Sequence, residues 1–257
     1  MGSEVIFEKR DGTAWVVLNR PEQNNAINLA LRQGLRDAWE EIERDRDILS
    51  VIVTGGERVF STGQDVKELA AFKETDPLAD LPLNDLRTFG AEVKKPIIAA
   101  ISGHCLGFGF LLTMTAADIR VASDTARFGM PEIRIGVPPS LGIPAIVARH
   151  FPPAMAAELF LTGESITVED AYRAGYVNRI VSPGELEAAA EEYARRINAF
   201  SPLIAGNVKE VLRRVTAPDP RDVAFSEAMC VLGRHSEDYL EGPRAFRENR
   251  KPVWKGR

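Results

Sequence analysis

Apolar residues in the stretch EVIFEKRDGTAWVVLNRPE come in two short blocks broken at Asp11-Gly12, which predicts two strands around a tight turn. From Asn28 the period changes. Leu31, Leu35, Ala38, Trp39 and Ile42 recur at helical spacing with charges between them, which predicts an amphipathic helix. LSVIVTGG, KKPIIAAISG and DIRVAS read as buried strands, and YVNRIV as a fourth. Helices separate these strands, so the expected class is α/β. Residues 110–117 show no polar face, which predicts a buried helix. Residues 72–90, FKETDPLADLPLNDLRTFG, are polar and hold two prolines. They read as an excursion of the kind that covers active sites, or equally as a plain surface loop.

After about residue 195 the pattern is helical with no strand between the helices. The expected division is a core over residues 1–195 and a helical region over 196–257. The apolar residues of the second part need a surface to pack on, such as that of another subunit. The last 17 residues carry six Lys/Arg against two Asp/Glu, which by itself reads as a solvated basic tail.

Totals narrow the function classes. A chain of 257 residues, 45% hydrophobic and 27% charged, has the make-up of an ordinary globular protein. A net charge of −5 argues against general nucleic-acid binding. Cys105 and Cys230 are too few for a disulfide framework, so a reducing compartment is expected. No apolar run reaches the roughly 18 residues of a membrane span. The start, MGSEVIFEKRDG, lacks the basic and then apolar character of a secretion signal. The expectation is a cytoplasmic protein bound to neither membrane nor nucleic acid.

Three stretches carry candidate chemistry. In VFSTGQDVKEL a strand gives way to a glycine loop, and Asp65 opens a helix. Asp65 and Glu68 fit a helix-start box. Gln64, just before it, lies where a backbone N–H can bind developing negative charge, although a simply capped surface helix fits the spacing as well. GHCLGFGFLL repeats the order of strand, glycine turn and helix, and places the Phe108 N–H as a second such donor. The dinucleotide fingerprint is absent, because its third glycine is Leu112. The same stretch holds G-x-C-x-G, the cysteine form of a nucleophile elbow, with His235 downstream. A small buried cysteine accounts for Cys105 equally well. The histidines and cysteines lack metal-ligand spacing. In ARFGMPEIRIGVPPSLGIP, Glu132 stands alone among apolar neighbours, which suits a carboxyl of raised pKa for proton transfer. A surface loop glutamate is the plainer alternative.

Taken together and in order, NRPEQNNAIN, FSTGQDVKEL, PIIAAISGHCLGFGF, ADIRVASDTARFGMPEIRIGVPP, LFLTGESITVEDAYRAGYVNRIV and SEDYLEGPRAFRENRKPVWKGR resemble the crotonase superfamily, the enoyl-CoA hydratase/isomerase family. The resemblance covers nearly the whole chain. It implies a spiral of ββα units with a C-terminal helical region, trimers or paired trimers, and a coenzyme A thioester as substrate with no further cofactor or metal. It places the two oxyanion N–H donors on Gln64 and Phe108 and the catalytic carboxylate on Glu132. It sets Ala26 and the segment through Lys67 beside the coenzyme A nucleotide. Gly63, Asp65, Gly107, Leu111, Pro131 and Pro139 are expected around the substrate. The second glutamate of the family's hydratases falls on Leu111, so the resemblance implies a one-glutamate enzyme, the pattern of the Δ3,Δ2-enoyl-CoA isomerases. Alanine is commoner than glutamine at position 64 in hydratases, but a backbone donor survives that difference. Asn249 stands where some members carry a lysine near the coenzyme. Within the family, hydration by an enoyl-CoA hydratase and double-bond isomerisation both stay open, and two further alternatives stand beside them: a cysteine-dependent hydrolase using Cys105, and an acyl-CoA binder without catalysis.

Overall fold

The structure, a computed structural model, describes residues 4–75 and 81–257. Residues 76–80, part of the polar excursion, lie outside the described residues. Strands β1 (Val5–Arg10) and β2 (Thr13–Leu18) pair antiparallel across the expected turn, with Val5 opposite Leu18. Helix α1 (Leu29–Arg44) follows, its first turn capped by the Asn28 side chain, which accepts from the Leu31 N–H at 2.9 Å. Then come β3 (Ser50–Thr54), α2 (Val66–Thr75), β4 (Ile97–Ile101), β5 (His104–Leu106), α3 (Phe108–Thr115), β6 (Ile119–Ser123) and β7 (Arg127–Gly129). The remainder is α4 (Ile143–His150), α5 (Pro153–Leu161), β8 (Ser165–Thr167), α6 (Val168–Arg173), β9 (Arg179–Val181), α7 (Leu186–Asn198), α8 (Pro202–Thr216), α9 (Pro220–Arg234) and α10 (Glu237–Arg247).

The main sheet has six strands in the order β1-β2-β3-β4-β6-β9, parallel from β2 onward. Its central strands are apolar on both faces because both faces are covered. Alternation sorts them: Ala14, Val16, Val51, Val53, Ile97 and Ala99 join the core that holds α1 and α3. Their neighbours Trp15, Ile52, Ile98, Ala100 and Val121 pack on Leu186, Ala189, Ala190 and Ala194 of α7. Residue 195 thus lies inside a helix that completes the core. A second sheet, β5-β7-β8, consists of three-residue strands too short to show a period in the sequence. A bridge between Ser61 and Cys105 brings the loop after β3 beside β5.

Helices α8 and α9 leave large apolar side chains in solvent, among them Leu203, Val211, Val215, Phe225 and Leu232. The basic C-terminal segment is not a freely solvated tail. Arg250 pairs with Glu241 and Glu248, and Lys255 and Arg257 pair with Glu237. The Gly256 N–H donates to Asp238 at 2.9 Å, so the chain end folds back along α10. No helix among the described residues is long and apolar enough to cross a membrane.

Candidate active site

Three turns meet at one glycine. Gly107 has φ +50°, a backbone region that side chains rarely adopt. A methyl group on it would stand 2.5 Å from Oε1 of Glu132 and 3.6 Å from the Cα of Gly63. Gly63 has φ +90°, and a methyl group there would stand 3.3 Å from the Phe108 nitrogen and 2.8 Å from the Leu106 carbonyl oxygen. The two glycines therefore let the 63–64 and 107–108 peptides and the Glu132 carboxyl close on the same space.

The first turn is tied down by side chains. Asn25 is fully buried, and its amide Nδ2 donates to the carbonyls of Gly55, Val59 and Phe60 at 3.0, 3.0 and 3.1 Å. The Ser61 hydroxyl donates to the Asn25 carbonyl at 2.7 Å and accepts the Gly63 N–H at 3.1 Å. The Ile27 N–H donates to the Gly63 carbonyl at 2.7 Å, and the Asp65 N–H to the Ile27 carbonyl at 3.1 Å. These bonds use the groups on either side of the Gln64 N–H and leave it without an acceptor among the described residues. The Phe108 N–H, first in α3, is also without one. Free N–H groups at a turn and at a helix start are what an oxyanion site requires.

Asp65 caps α2 as expected, accepting from the N–H groups of Lys67 and Glu68 at 3.1 and 3.2 Å. Glu68 does not close the box. Its carboxylate instead accepts the Leu29 N–H at 2.9 Å and so caps α1. A non-local partner of this kind leaves no local signature in the sequence. Asp65 also accepts from Arg20 at 3.0 Å, and the same guanidinium nitrogen donates to the Ala26 carbonyl. Lys67 is exposed on the first turn of α2.

Glu132 lies in a short 3-10 turn, Pro131–Ile135, with Pro131 at its start. The carboxyl atom Oε2 is buried and has no hydrogen-bond partner. Burial pushes the carboxyl up to about 7, an effect that a hydrogen bond from its own backbone N–H only partly offsets. Helix α10 and the chain end support this turn: Gly242 packs on the Ile135 carbonyl, and the Trp254 ring covers Gly136.

Glu132, Gln64 and Phe108 line one cavity of about 60 Å³. The apolar lining includes Leu69, Leu81, Val137, Pro139 and Ile143, and the polar lining is Asn84, Ser140, Arg234 and Tyr239. The excursion after α2 thus supplies wall residues through Leu81 and Asn84. Leu111 is fully buried in the main core, one turn into α3, and is not among the cavity-lining residues. Asn25, Asn84 and Arg234 were not singled out from the sequence. Asn25 sits in a left-handed conformation at φ +52°, and the paired asparagines of NNAIN were the available signal.

Cys105 does not form a nucleophile elbow. It lies within β5 rather than on the turn, is fully buried, and meets the Thr113 hydroxyl at 3.7 Å. Burial raises its thiol pKa, the opposite of what a thiolate nucleophile needs. His235 is exposed at the end of α9, where its ring nitrogen meets the Val231 carbonyl. Asn249 is exposed past α10.

Comparison with known proteins gives the family. Residues 8–257 match the sequence profile of the enoyl-CoA hydratase/isomerase family. The chain belongs to that family. It is 36% identical to a carnitinyl-CoA dehydratase of Salmonella heidelberg (strain SL476) over 265 residues, covering 99% of this chain and all of the relative. In structure it resembles a carnitinyl-CoA hydratase from Mycobacterium avium, with TM-score 0.86 and 31% identity over the whole of both chains. It also resembles a methylmalonyl-CoA decarboxylase in complex with 2-nitronate-propionyl-CoA, with TM-score 0.86, 28% identity and 99% coverage of each chain. The α/β crotonase-type core and helical C-terminal region expected from the sequence are those of this family. As a member of the enoyl-CoA hydratase/isomerase family, the chain is an enzyme of acyl-CoA thioesters.

Proposed function

We propose that this enzyme acts through an enolate, with Glu132 as its one acid–base group. The observation that carries the reading is the buried Glu132 carboxyl, whose Oε2 has no partner, in the same cavity as the two residues with free N–H groups. The thioester oxygen sits between the Gln64 and Phe108 N–H groups. The carbonyl is polarised, the α-carbon loses a proton to the Glu132 carboxylate, and the electron pair moves onto the held oxygen. In a 3-enoyl-CoA the proton then returns at the γ-carbon, which gives the 2-enoyl-CoA. One base suffices, and nothing is consumed or released.

A second reading is dehydration of a 3-hydroxyacyl-CoA, favoured by the dehydratase and hydratase names of the relatives. There Glu132 takes the α-proton, the enolate expels the β-hydroxide, and the proton on Glu132 passes to it as water. The buried Asn84 Oδ1, which has no partner, offers such a hydroxyl an acceptor. Incubation with crotonyl-CoA, 3-hydroxybutanoyl-CoA and a 3-enoyl-CoA, with products followed by mass and chromatography, separates the two. Turnover of the 3-enoyl-CoA alone supports isomerisation. Interconversion of the 3-hydroxy and 2-enoyl thioesters supports the second reading. Tight binding without turnover or α-proton exchange supports the non-catalytic alternative.

The cavity of about 60 Å³ between Glu132 and the Gln64 and Phe108 turns is the proposed place of the thioester carbonyl and α-carbon. The Ala26 and Lys67 segment is the proposed border of the coenzyme A nucleotide, and Pro131 and Pro139 shape the acyl end. The uncovered apolar faces of α8 and α9 are the proposed contact with further copies of the chain, in trimers or paired trimers. Sedimentation is expected to give three or six chains per particle, and a strict monomer at micromolar concentration contradicts this.

A further inference from the structure

Arg32 is the charged residue buried deepest in α1, with no exposed surface. One terminal nitrogen donates to the Pro82 carbonyl at 3.1 Å, and the other to Oε1 of Gln64. Its Nε is buried with no partner. No carboxylate forms an ion pair with it among the described residues, and desolvation lowers its pKa. Its guanidinium carbon stands 5.8 Å from the centroid of the Phe108 ring, within cation–π range. That ring in turn packs on Phe89 at 5.1 Å. Gln64 is held from its other amide end as well, where Nε2 donates to the Asp65 carbonyl at 3.2 Å.

Arg32 therefore touches the side chains of both residues whose N–H groups face the cavity. A buried guanidinium with no carboxylate in contact, and only Glu68 and Asp65 acting on it from farther off, is costly, and a group that becomes negative during the reaction would offset that cost. We propose that Arg32 is a positioning residue that fixes the Gln64 and Phe108 peptides against the thioester oxygen and biases the site toward the enolate. This rests on the enolate reading above.

The test uses the full-length enzyme and cinnamoyl-CoA as a probe, whose absorption moves to the red when its thioester oxygen is polarised. Arg32→Met is expected to lower kcat about 10–100-fold, as a misplaced reacting geometry does. KM should stay within about threefold, and the bound probe should lose much of its red shift. Arg32→Lys should recover part of both. Gln64→Ala breaks the same contact, so adding it to Arg32→Met should cost less than the sum of the two single losses. A kcat within twofold of wild type, a loss confined to KM, or a full red shift overturns the proposal. Should Arg32→Met fail to fold by circular dichroism, Arg32→Lys, which keeps the charge and loses the forked contact, must still diminish the red shift, and a full shift overturns the proposal there too. Glu132→Gln separates the two failures. If it abolishes α-proton exchange while Arg32→Met changes nothing, only the positioning role fails.

Discussion

The turns at 63–64 and at 107–108 present the same group, a free N–H, but are held by opposite means. The first is fixed by polar side chains: Asn25, Ser61, Arg20 and Arg32 bond to it or to its neighbours. The second is fixed by burial, since Phe108 through Met114 are all buried and Leu111 lies deep in the core. Hydrogen-bonded support specifies a geometry, and each bond adds only about 1 kcal/mol net. Apolar support contributes more free energy per side chain and less direction. Damage to the first turn should thus show in the reaction, and damage to the second in stability.

The largest effect is expected at Glu132, the proposed base beside both turns. Glu132→Gln keeps size and removes the base, so turnover is expected to fall about 10²–10⁴-fold. The same variant reports on its burial. A carboxyl raised in the fold from 4.5 to about 7 stabilises the protein below pH 4.5, and that stability is lost as pH rises through 7. Thermal melting should show Glu132→Gln more stable than wild type at pH 8, by an amount on the order of 3 kcal/mol, with the gain gone at pH 4. An equal melting temperature at both values would mean that the carboxyl is solvated.

Leu111→Ala comes next and probes the apolar turn. Emptying a fully buried leucine site typically costs about 2–5 kcal/mol, so urea midpoints should fall clearly. The kcat of the protein that remains folded should drop less than tenfold. Asn25→Ala probes the polar turn and should reverse that order. It leaves buried carbonyls unsatisfied at about 1–3 kcal/mol, yet kcat should fall further than in Leu111→Ala. If both variants lose activity only in proportion to stability, the two turns are not held differently. Cys105→Ala should have the smallest effect. Its thiol meets the Thr113 hydroxyl, and most activity should survive with a stability loss under about 2 kcal/mol.

What was legible in the sequence follows the range of the forces involved. The paired N-terminal strands, α1, β3, β4, β6 and the buried α3 were readable, because each carries its own apolar period. The three-residue strands β5, β7 and β8 were not, because three residues define no period, whereas the equally short β9 lies within the apolar stretch YVNRIV. The turns at Gln64 and Phe108 and the Glu132 carboxyl stood out through glycines and an isolated carboxylate within short motifs. Glu68 capping α1, and Arg250 and Lys255 pairing with α10, depend on partners brought close only by folding. Arg32 was open to notice: it stands beside Leu31 and three residues before Leu35, so a charge fell on the apolar stripe of α1.

The central claim is that Glu132 forms an enolate by itself. Butanoyl-CoA has no double bond and no hydroxyl, so neither isomerisation nor dehydration can occur on it, but its α-protons can exchange. In D₂O the wild-type enzyme is expected to place deuterium at the α-carbon, at a rate that rises with pH up to about 7, and Glu132→Gln to lose that exchange by at least about 100-fold. Exchange that persists unchanged in Glu132→Gln, or that is absent from the wild-type enzyme at saturating thioester, would contradict the account.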